Sequence, residues 1–470
     1  MTVFLLHIIF FFIFAIRKLL QRSMKILLIN TPRSPHNMIL ESAPEEAKHF
    51  IHKKLIGPPL GLLTVAAAVK DHDVIVFDTK GEYDLYPDTT PPLKELVNKL
   101  LKQHNPDVVG TTTIASEFYY AVDILKETKK YNPEILTVIG GLHATISTSD
   151  ITDSSIDLVL PGQSAHLFRE VILAKEKGQS FENIGGILIN HNGKFMPSKA
   201  KIALNNPADE DFLMPDREHL KPWIDTYKVG KSPYPSTYLF TSLGCPYKCT
   251  FCSIWCQFEG KYLQRNIESI IEELKLLDDY PVVRFADANT IVNTGFINTL
   301  FDRIQEEGIK KDFIMDIRTD TAVKYPKLIE KLAKGGLKVV ICGFESFREE
   351  ELRKYNKSTD AKLIHESIDV FHQNDIMLRG NYVIPNDYDE TDFKALSDYT
   401  SSHRVTYAGY TILSPMPGTP FYNEVKDQII DFDLSKYNFF NSVLKTKLPL
   451  EKFYENVGKL WLIKKGTDVI

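Results

Sequence analysis

Three of the chain's five cysteines stand in one short run, Gly244-Cys245-Pro246-Tyr247-Lys248-Cys249-Thr250-Phe251-Cys252. Three residues and then two separate the thiols, and Gly244 and Pro246 restrict the backbone that carries them. Three thiolates can hold three irons of a [4Fe-4S] cluster and leave the fourth iron open to a substrate, whereas a closed electron-transfer cluster takes four. A structural zinc site also takes four ligands, with Cys256 or His143 as candidates for the fourth. Thiols gathered in one stretch of an enzyme-sized chain do not make a distributed disulfide framework. They point to metal or redox chemistry in a reducing compartment, so a cytoplasmic protein is expected.

The run follows an apolar stretch, "STYLFTSLG", the first of six that alternate with helical patterns; the others are "VVRFADAN", "DFIMDIRTD", "KVVICGFES", "MLRGNYVIP" and "VTYAGYTIL". Six strand-then-helix units predict a partial TIM-type barrel with its active site at the carboxyl ends of the strands. Ahead of it, "KILLIN", "DVIVFDT", "DVVGTTT", "ILTVIGG" and "IDLVLPG" alternate with amphipathic stretches. That pattern predicts a parallel, doubly covered, Rossmann-like sheet. Ligands of such sheets sit beyond the carboxyl ends, here Asn30-Thr31, Asp78-Thr79, Thr111 to Thr113, Gly140-Gly141 and Gly162. No G-x-G-x-x-G follows the first strand and no P-loop motif occurs, which disfavours NAD and ATP.

The predicted class is α/β, with boundaries at 24–198 for the first block, 199–236 for a Pro-, Asp- and Lys-rich linker, 237–420 for the barrel and 421–470 for a helical carboxyl-terminal region. The 470 residues are 43% hydrophobic and 25% charged with a net charge of −5, which argues against nucleic acid as a partner. Residues 1–23 hold an apolar run from Val3 to Ile16 followed by Arg17, Lys18 and Arg22. The run is short for a membrane span. It reads either as an interfacial anchor, keeping the chain at the inner face of the membrane, or as an upstream reading artefact ahead of Met24.

C-x-x-x-C-x-x-C after the first strand of a partial barrel resembles the radical S-adenosylmethionine (SAM) superfamily. The resemblance implies a cluster on Cys245, Cys249 and Cys252 whose open iron chelates SAM. It also implies SAM cleavage to a 5'-deoxyadenosyl radical, with electrons from an external flavodoxin- or ferredoxin-type donor. It places Phe251 near the adenine, and makes Asp287 and Asn289 of "FADAN", Arg318 of "IRTD", and Glu345 and Ser346 of "CGFES" candidate SAM contacts. Cys256 and Cys342 read as small buried hydrophobes.

From Met24 onward the chain is similar to the radical SAM class that carries a Rossmann-like cobalamin-binding domain. The similarity rests on "PPLGLLTVAAAV", "PDVVGTTT", "IGGLHATIS", "DLVLPGQSAHLF" and "GGILINHNGK". Cobalamin is then expected near Thr111, Thr112, Gly140 and Gly141, with His143 as a further candidate contact. The D-x-H-x-x-G motif that supplies a lower cobalt ligand is absent, and Gly162-Gln163 stands where the class has Gly-Glu. "CGFESFREEELRKYNKSTD" and the tail from "SPMPGTPFYNEV" to "KFYENV" resemble the hopanoid C-3 methylase group. That resemblance implies methyl transfer from SAM through methylcobalamin to an unactivated carbon of a hydrophobic substrate, hopanoid or isoprenoid lipid included. The alternative is a rearrangement, cyclisation or oxidation without methyl transfer.

Overall fold

Ile26, Leu27, Leu28 and Ile29 are all buried, so the first strand is covered on both faces, which is why it reads as an unbroken apolar run. In the computed structural model this strand, β1 (Lys25–Asn30), pairs in parallel with β2 (Asp73–Asp78) and β3 (Val108–Thr112). β4 (Leu136–Gly140) and the two-residue β5 (Leu158–Val159) continue the sheet. Helices Leu60–Ala68 and Ser164–Glu176 cover one face, and Leu93–His104 and Phe118–Tyr131 the other. β6 (Leu188–His191) and β7 (Lys194–Pro197) add an antiparallel hairpin turned by Asn192-Gly193, completing a seven-stranded order β2-β1-β3-β4-β5-β6-β7. The structure describes residues 23–51, 57–200, 212–228, 232–402, 405 and 407–462. The apolar amino-terminal run and part of the expected linker lie outside them. Among the described residues no helix is long and apolar enough to cross a membrane.

The second sheet has six parallel strands, the partial barrel expected. Its members are β8 (Ser236–Leu239), β11 (Val282–Phe285), β12 (Asp312–Asp316), β13 (Leu337–Glu345), β14 (Met377–Ile384) and β15 (Tyr407–Ile412). "STYLFTSLG" does not run through as one strand. The barrel strand stops at Leu239, and Ser242–Gly244 forms β9, antiparallel to β10 (Tyr262–Gln264). The break occurs where the backbone N–H groups of Thr241 and Ser242 turn onto the Asp287 carboxylate instead of a ladder partner. Val283, Phe285, Phe313 and Met315 pack in the core under the helices, so the alternate residues of those strands face the barrel interior.

The two blocks are interleaved. Ile39, Ala43, Ala47 and Ile51 lie within the first block's sequence but pack in the barrel's core cluster beside Phe453, Tyr454 and Val457 of the last helix, Leu450–Leu460. Met38 N donates to Asn441 Oδ1 at 3.1 Å, and Asn438 Nδ2 donates to the His36 carbonyl at 3.1 Å. Within the expected linker, Arg217–Thr226 is a tight helix that works as a strut. Trp223 packs edge-on to Phe77 and donates to Glu82 at 2.8 Å, Tyr227 donates to Asp78, and Arg217 pairs with Glu273 of the barrel.

Candidate functional site

Gly244 opens the cysteine loop at φ +78°, and a Cβ there would run into the Lys261 carbonyl and the Phe258 side chain across the β9–β10 ribbon. Only glycine suits both demands. The loop then docks on residues 355–356: Thr250 N donates to the Tyr355 carbonyl at 3.1 Å, and Asn356 Nδ2 donates to the Lys248 carbonyl at 2.9 Å. Burial pushes all three thiols up, and each is pushed further by one of the others: Cys245 by Cys249, Cys249 by Cys252, and Cys252 by Cys245. The three thiols thus share one electrostatic neighbourhood. Lys357 pulls all three down, Arg318 acts likewise on Cys245 and Cys249, and backbone N–H groups of Tyr247, Ile254 and Trp255 favour thiolates at Cys245 and Cys252. Three thiols ringed by cations and N–H donors fit a cluster bound through thiolates.

Among the described residues no three His, Cys, Asp or Glu side chains are grouped to hold a single metal ion. Neither candidate fourth zinc ligand joins the three thiols. Cys256 is half-buried rather than the buried hydrophobe expected, because its short helix lies beside the cavity; its Sγ points at the Cys252 carbonyl at 3.5 Å, and burial pushes its thiol up to about 11. His143, 1% exposed, lies with Nε2 3.2 Å from Asp150 Oδ2 but off the line of a good hydrogen bond, its ring against Phe118. Cys342 is fully buried with its thiol raised to about 12, the small hydrophobe expected.

The expected SAM contacts divide into braces and free groups. Arg318 clasps Asp320 through two nitrogens at 3.0 and 3.2 Å, donates to the Lys357 and Ser358 carbonyls at 3.0 and 2.9 Å, and stacks 3.8 Å over the Tyr247 ring. Burial works against its charge, and Asp320 more than offsets that. Arg318 thus ties the cysteine loop to the 357–358 turn. Ser346 Oγ donates to Glu351 at 2.5 Å and accepts from Arg348 N at 2.9 Å, capping the turn that follows β13. Phe251 packs edge-on to Tyr355, centroids 5.5 Å apart. Glu345 adopts φ +63° at the end of β13 and receives Lys357 Nζ at 2.7 Å. Burial disfavours the Lys357 ammonium, but Glu345 and Cys249 more than offset it and raise its pKa. Sequence alone does not single out Lys357. It lies in the quoted stretch "RKYNKSTD", where nothing distinguishes it from its basic neighbours.

Asp287 accepts from Thr241 N and Ser242 N, both at 2.8 Å, and from Thr241 Oγ1 at 2.7 Å. Burial pushes its carboxyl up to about 6 against those bonds. Asn289 is buried, and neither end of its amide has a hydrogen-bond partner among the described residues, as expected of a group that meets a ligand.

A cavity of about 600 Å³ lies between the two blocks. One wall is the carboxyl-end edge of the first sheet, with Thr111, Thr112, Gly140, Gly141 and Gly162; the other is the barrel mouth, with Phe240, Ser242, Gly244, Arg284 and Asp287. Gly141, at φ +99°, has no room for a side chain, because a Cβ would press on Thr112 Oγ1 and the Thr113 backbone. Small residues on this wall leave the cradle that a large planar ring system with a threaded tail needs. The four residues expected to meet cobalamin therefore share one surface, and His143 is not among the lining residues. The wall ends one residue before Cys245.

Comparison with known proteins agrees with this arrangement. A model of the B12 binding domain matches residues 51–172, and a model of the Radical SAM superfamily matches residues 239–399. An uncharacterized methyltransferase of Pyrococcus horikoshii is 27% identical over 83% of this chain and 84% of its own. The anaerobic magnesium-protoporphyrin IX monomethyl ester cyclase of Cereibacter sphaeroides is 26% identical over 75% of this chain, which spans 58% of that protein. Hopanoid C-3 methylase of Methylococcus capsulatus is 24% identical over 85% of this chain and 75% of its own. In fold, the chain resembles the cobalamin-dependent S-adenosylmethionine radical enzyme OxsB, solved with aqua-cobalamin and S-adenosylmethionine bound. The TM-score is 0.66 at 15% identity, over 93% of this chain and 66% of that one.

Proposed function

The chain belongs to the radical SAM enzymes that carry a B12-binding domain, and on that premise we propose that it transfers a methyl group from SAM to an unactivated carbon of a hydrophobic substrate. The observation that carries this reading is the cavity wall shared by the first sheet's carboxyl ends and the barrel mouth, one residue from the first cluster cysteine. A methyl carrier cradled on Thr111, Thr112, Gly140 and Gly141 and a radical generated at Cys245, Cys249 and Cys252 would act on one substrate from two sides. When bound, the cluster, SAM and cobalamin supply the electron transfer, hydrogen abstraction and methyl donation.

The protein's own part is positioning and exclusion of water. Cys245, Cys249 and Cys252 hold the cluster, with Lys357 and Arg318 offsetting the charge of the thiolates. Asp287 fixes the backbone turn that aims the cysteine loop, and Asn289 offers an unpaired amide to SAM. Leu62, Leu160, Phe168, Phe240, Leu243 and Phe258 make the cavity wall largely apolar, which suits a hydrophobic substrate. An external one-electron donor of flavodoxin or ferredoxin type completes the reaction.

A second reading, cyclisation or another rearrangement without methyl transfer, is favoured by the similarity to the cyclase. Anaerobic reconstitution with iron, sulfide and cobalamin, followed by methyl-labelled SAM, reductant and a lipid extract, separates the two. 5'-Deoxyadenosine together with label in an extracted product supports methyl transfer. 5'-Deoxyadenosine with no labelled product supports the second reading, and neither product refutes both.

A further inference from the structure

The barrel interior holds two half-buried guanidiniums around a single carboxylate. Arg284 on β11 and Arg379 on β14 both project inward by strand alternation, and Asp316 on β12 is the carboxylate between them. Arg284 NH2 donates to Asp316 Oδ2 at 2.8 Å, its guanidinium lies 5.4 Å over the Tyr238 ring, and its Nε is buried without a partner among the described residues. In register, Asp316 pairs with Ile341 and Ile341 with Arg379, so the second guanidinium stands two strands away in the same row. Arg379 Nε donates to Asn381 Oδ1 at 3.2 Å, and Gly409 makes the room, since a Cβ there would strike Asn381 Oδ1. Among the described residues the terminal nitrogens of Arg379 have no hydrogen-bond partner. Arg284 and Asp316 keep 29% and 25% of their side-chain surface accessible, and Arg284 lines the cavity, while Asp316 and Arg379 stand behind it on the neighbouring strands of the barrel interior.

The other buried cations of the site are answered. Lys357 has Glu345 and Arg318 has Asp320. Arg217 and Arg265 share Glu273, but they are also taken up by the carbonyls of Tyr238, Phe240 and Ser269. Arg284 and Arg379 share Asp316 without such carbonyls. Burial works against the Arg284 charge, but Asp316 and Tyr238 more than offset it and raise its pKa, so the guanidinium left without a counter-charge of its own is Arg379, a costly state unless an anion meets it. Burial together with Arg284 depresses Arg379 to about 10, as expected of two cations waiting on one counter-charge.

We propose that Arg284 and Arg379 bind an anionic group of the substrate, a carboxylate or a phosphate attached to its hydrophobic body, inside the barrel below the reacting carbon. The proposal rests on the methyl-transfer reading for the identity of the bound molecule as substrate, and on the barrel's charge balance for the anion. Planar guanidinium forks suit either oxyanion.

The test uses the full-length reconstituted enzyme. An extract of the producing cells is divided by anion exchange into retained and unretained fractions, and each is incubated with methyl-labelled SAM. Label in the retained fraction is the expected result, and its sensitivity to phosphatase or to carboxyl esterification tells phosphate from carboxylate. Label confined to the unretained fraction overturns the anion site while methyl transfer stands. Label in neither fraction overturns methyl transfer, and a second measurement then decides the anion site alone. In that measurement inorganic phosphate, at matched ionic strength, raises the unfolding temperature of the wild type but not of Arg379→Met, while Arg379→Lys keeps part of the response. Equal responses in all three proteins overturn the site.

Arg379→Met is expected to raise KM for the acidic substrate by roughly 10- to 100-fold, the loss of a charge-assisted hydrogen bond. SAM affinity by equilibrium dialysis should stay within about twofold, and cobalamin loading unchanged. A tenfold or greater loss of SAM affinity would assign the pair to the SAM carboxylate and overturn the substrate assignment.

Discussion

Replacing Asp287 by Asn exchanges a titrating carboxylate for an amide of nearly the same shape at the turn that aims the cysteine loop. The amide oxygen can keep both backbone bonds, from Thr241 N and Ser242 N, and the Thr241 hydroxyl can rotate to accept from the new NH₂. What disappears is the ionisation. Burial raises the Asp287 carboxyl from 3.8 to about 6 in the folded protein. Below the lower value the side chain is protonated in both states; between the two values the unfolded chain ionises while the folded one stays protonated. Wild-type stability therefore falls as pH rises through this window, and the loss is complete above the folded value. A shift of about two units corresponds to about 3 kcal/mol, of which about 2 kcal/mol develops between roughly pH 4.5 and pH 7.5. Urea denaturation of the full chain and of Asp287→Asn, followed by tryptophan fluorescence across that range, measures the difference with the other titrations cancelling. The variant should gain on the wild type by about 2 kcal/mol as pH rises. Parallel stability curves would mean that Asp287 is already ionised in the folded protein, and would refute the burial argument.

Alanine at Cys245, Cys249 or Cys252 should abolish 5'-deoxyadenosine formation while cobalamin loading, read by absorbance, is retained; cleavage surviving any one change would remove that cysteine from the cluster. Lys357→Met strands the Glu345 carboxylate in a buried site and should cost about 3–5 kcal/mol in denaturant melts. Adding Glu345→Gln to the same chain should recover at least about half of that; no recovery would show that the two side chains are not coupled. Gly141→Ala forces a side chain into a left-handed position against Thr112 and Thr113. It should lower stability by about 2 kcal/mol and cobalamin retention on gel filtration by at least about tenfold. Wild-type retention would place the corrinoid away from this wall.

Much of this protein is legible in its residues taken in order. Five apolar runs and six more, each bounded by turn residues, specify two sheets, because strands covered on both faces leave no polar alternation to obscure them. The grouping of Cys245, Cys249 and Cys252 on one loop is legible for the same local reason, since the three stand within eight residues. That Thr111, Thr112, Gly140 and Gly141 share the cavity wall is legible because they end neighbouring strands of a parallel sheet, where such sheets leave a crevice. Tertiary structure decided the rest, wherever partners come from distant strands. Arg318, read as a SAM contact, is a brace whose Lys357 and Ser358 carbonyl partners lie about forty residues on and arrive only once β12 and β13 stand side by side, whereas Ser346 caps a turn with partners close in sequence. His143 turns to Asp150 and away from the cavity. The segment around Ile39 and Ala43 crosses into the barrel core, which no local pattern announces because an apolar residue carries no address. Lys357 beside three thiols and the pair Arg284–Arg379 around Asp316 are facts of charge balance inside a closed space. Composition counts charges over the whole chain, but only the fold decides which of them share a low-dielectric interior and so must find counter-charges there.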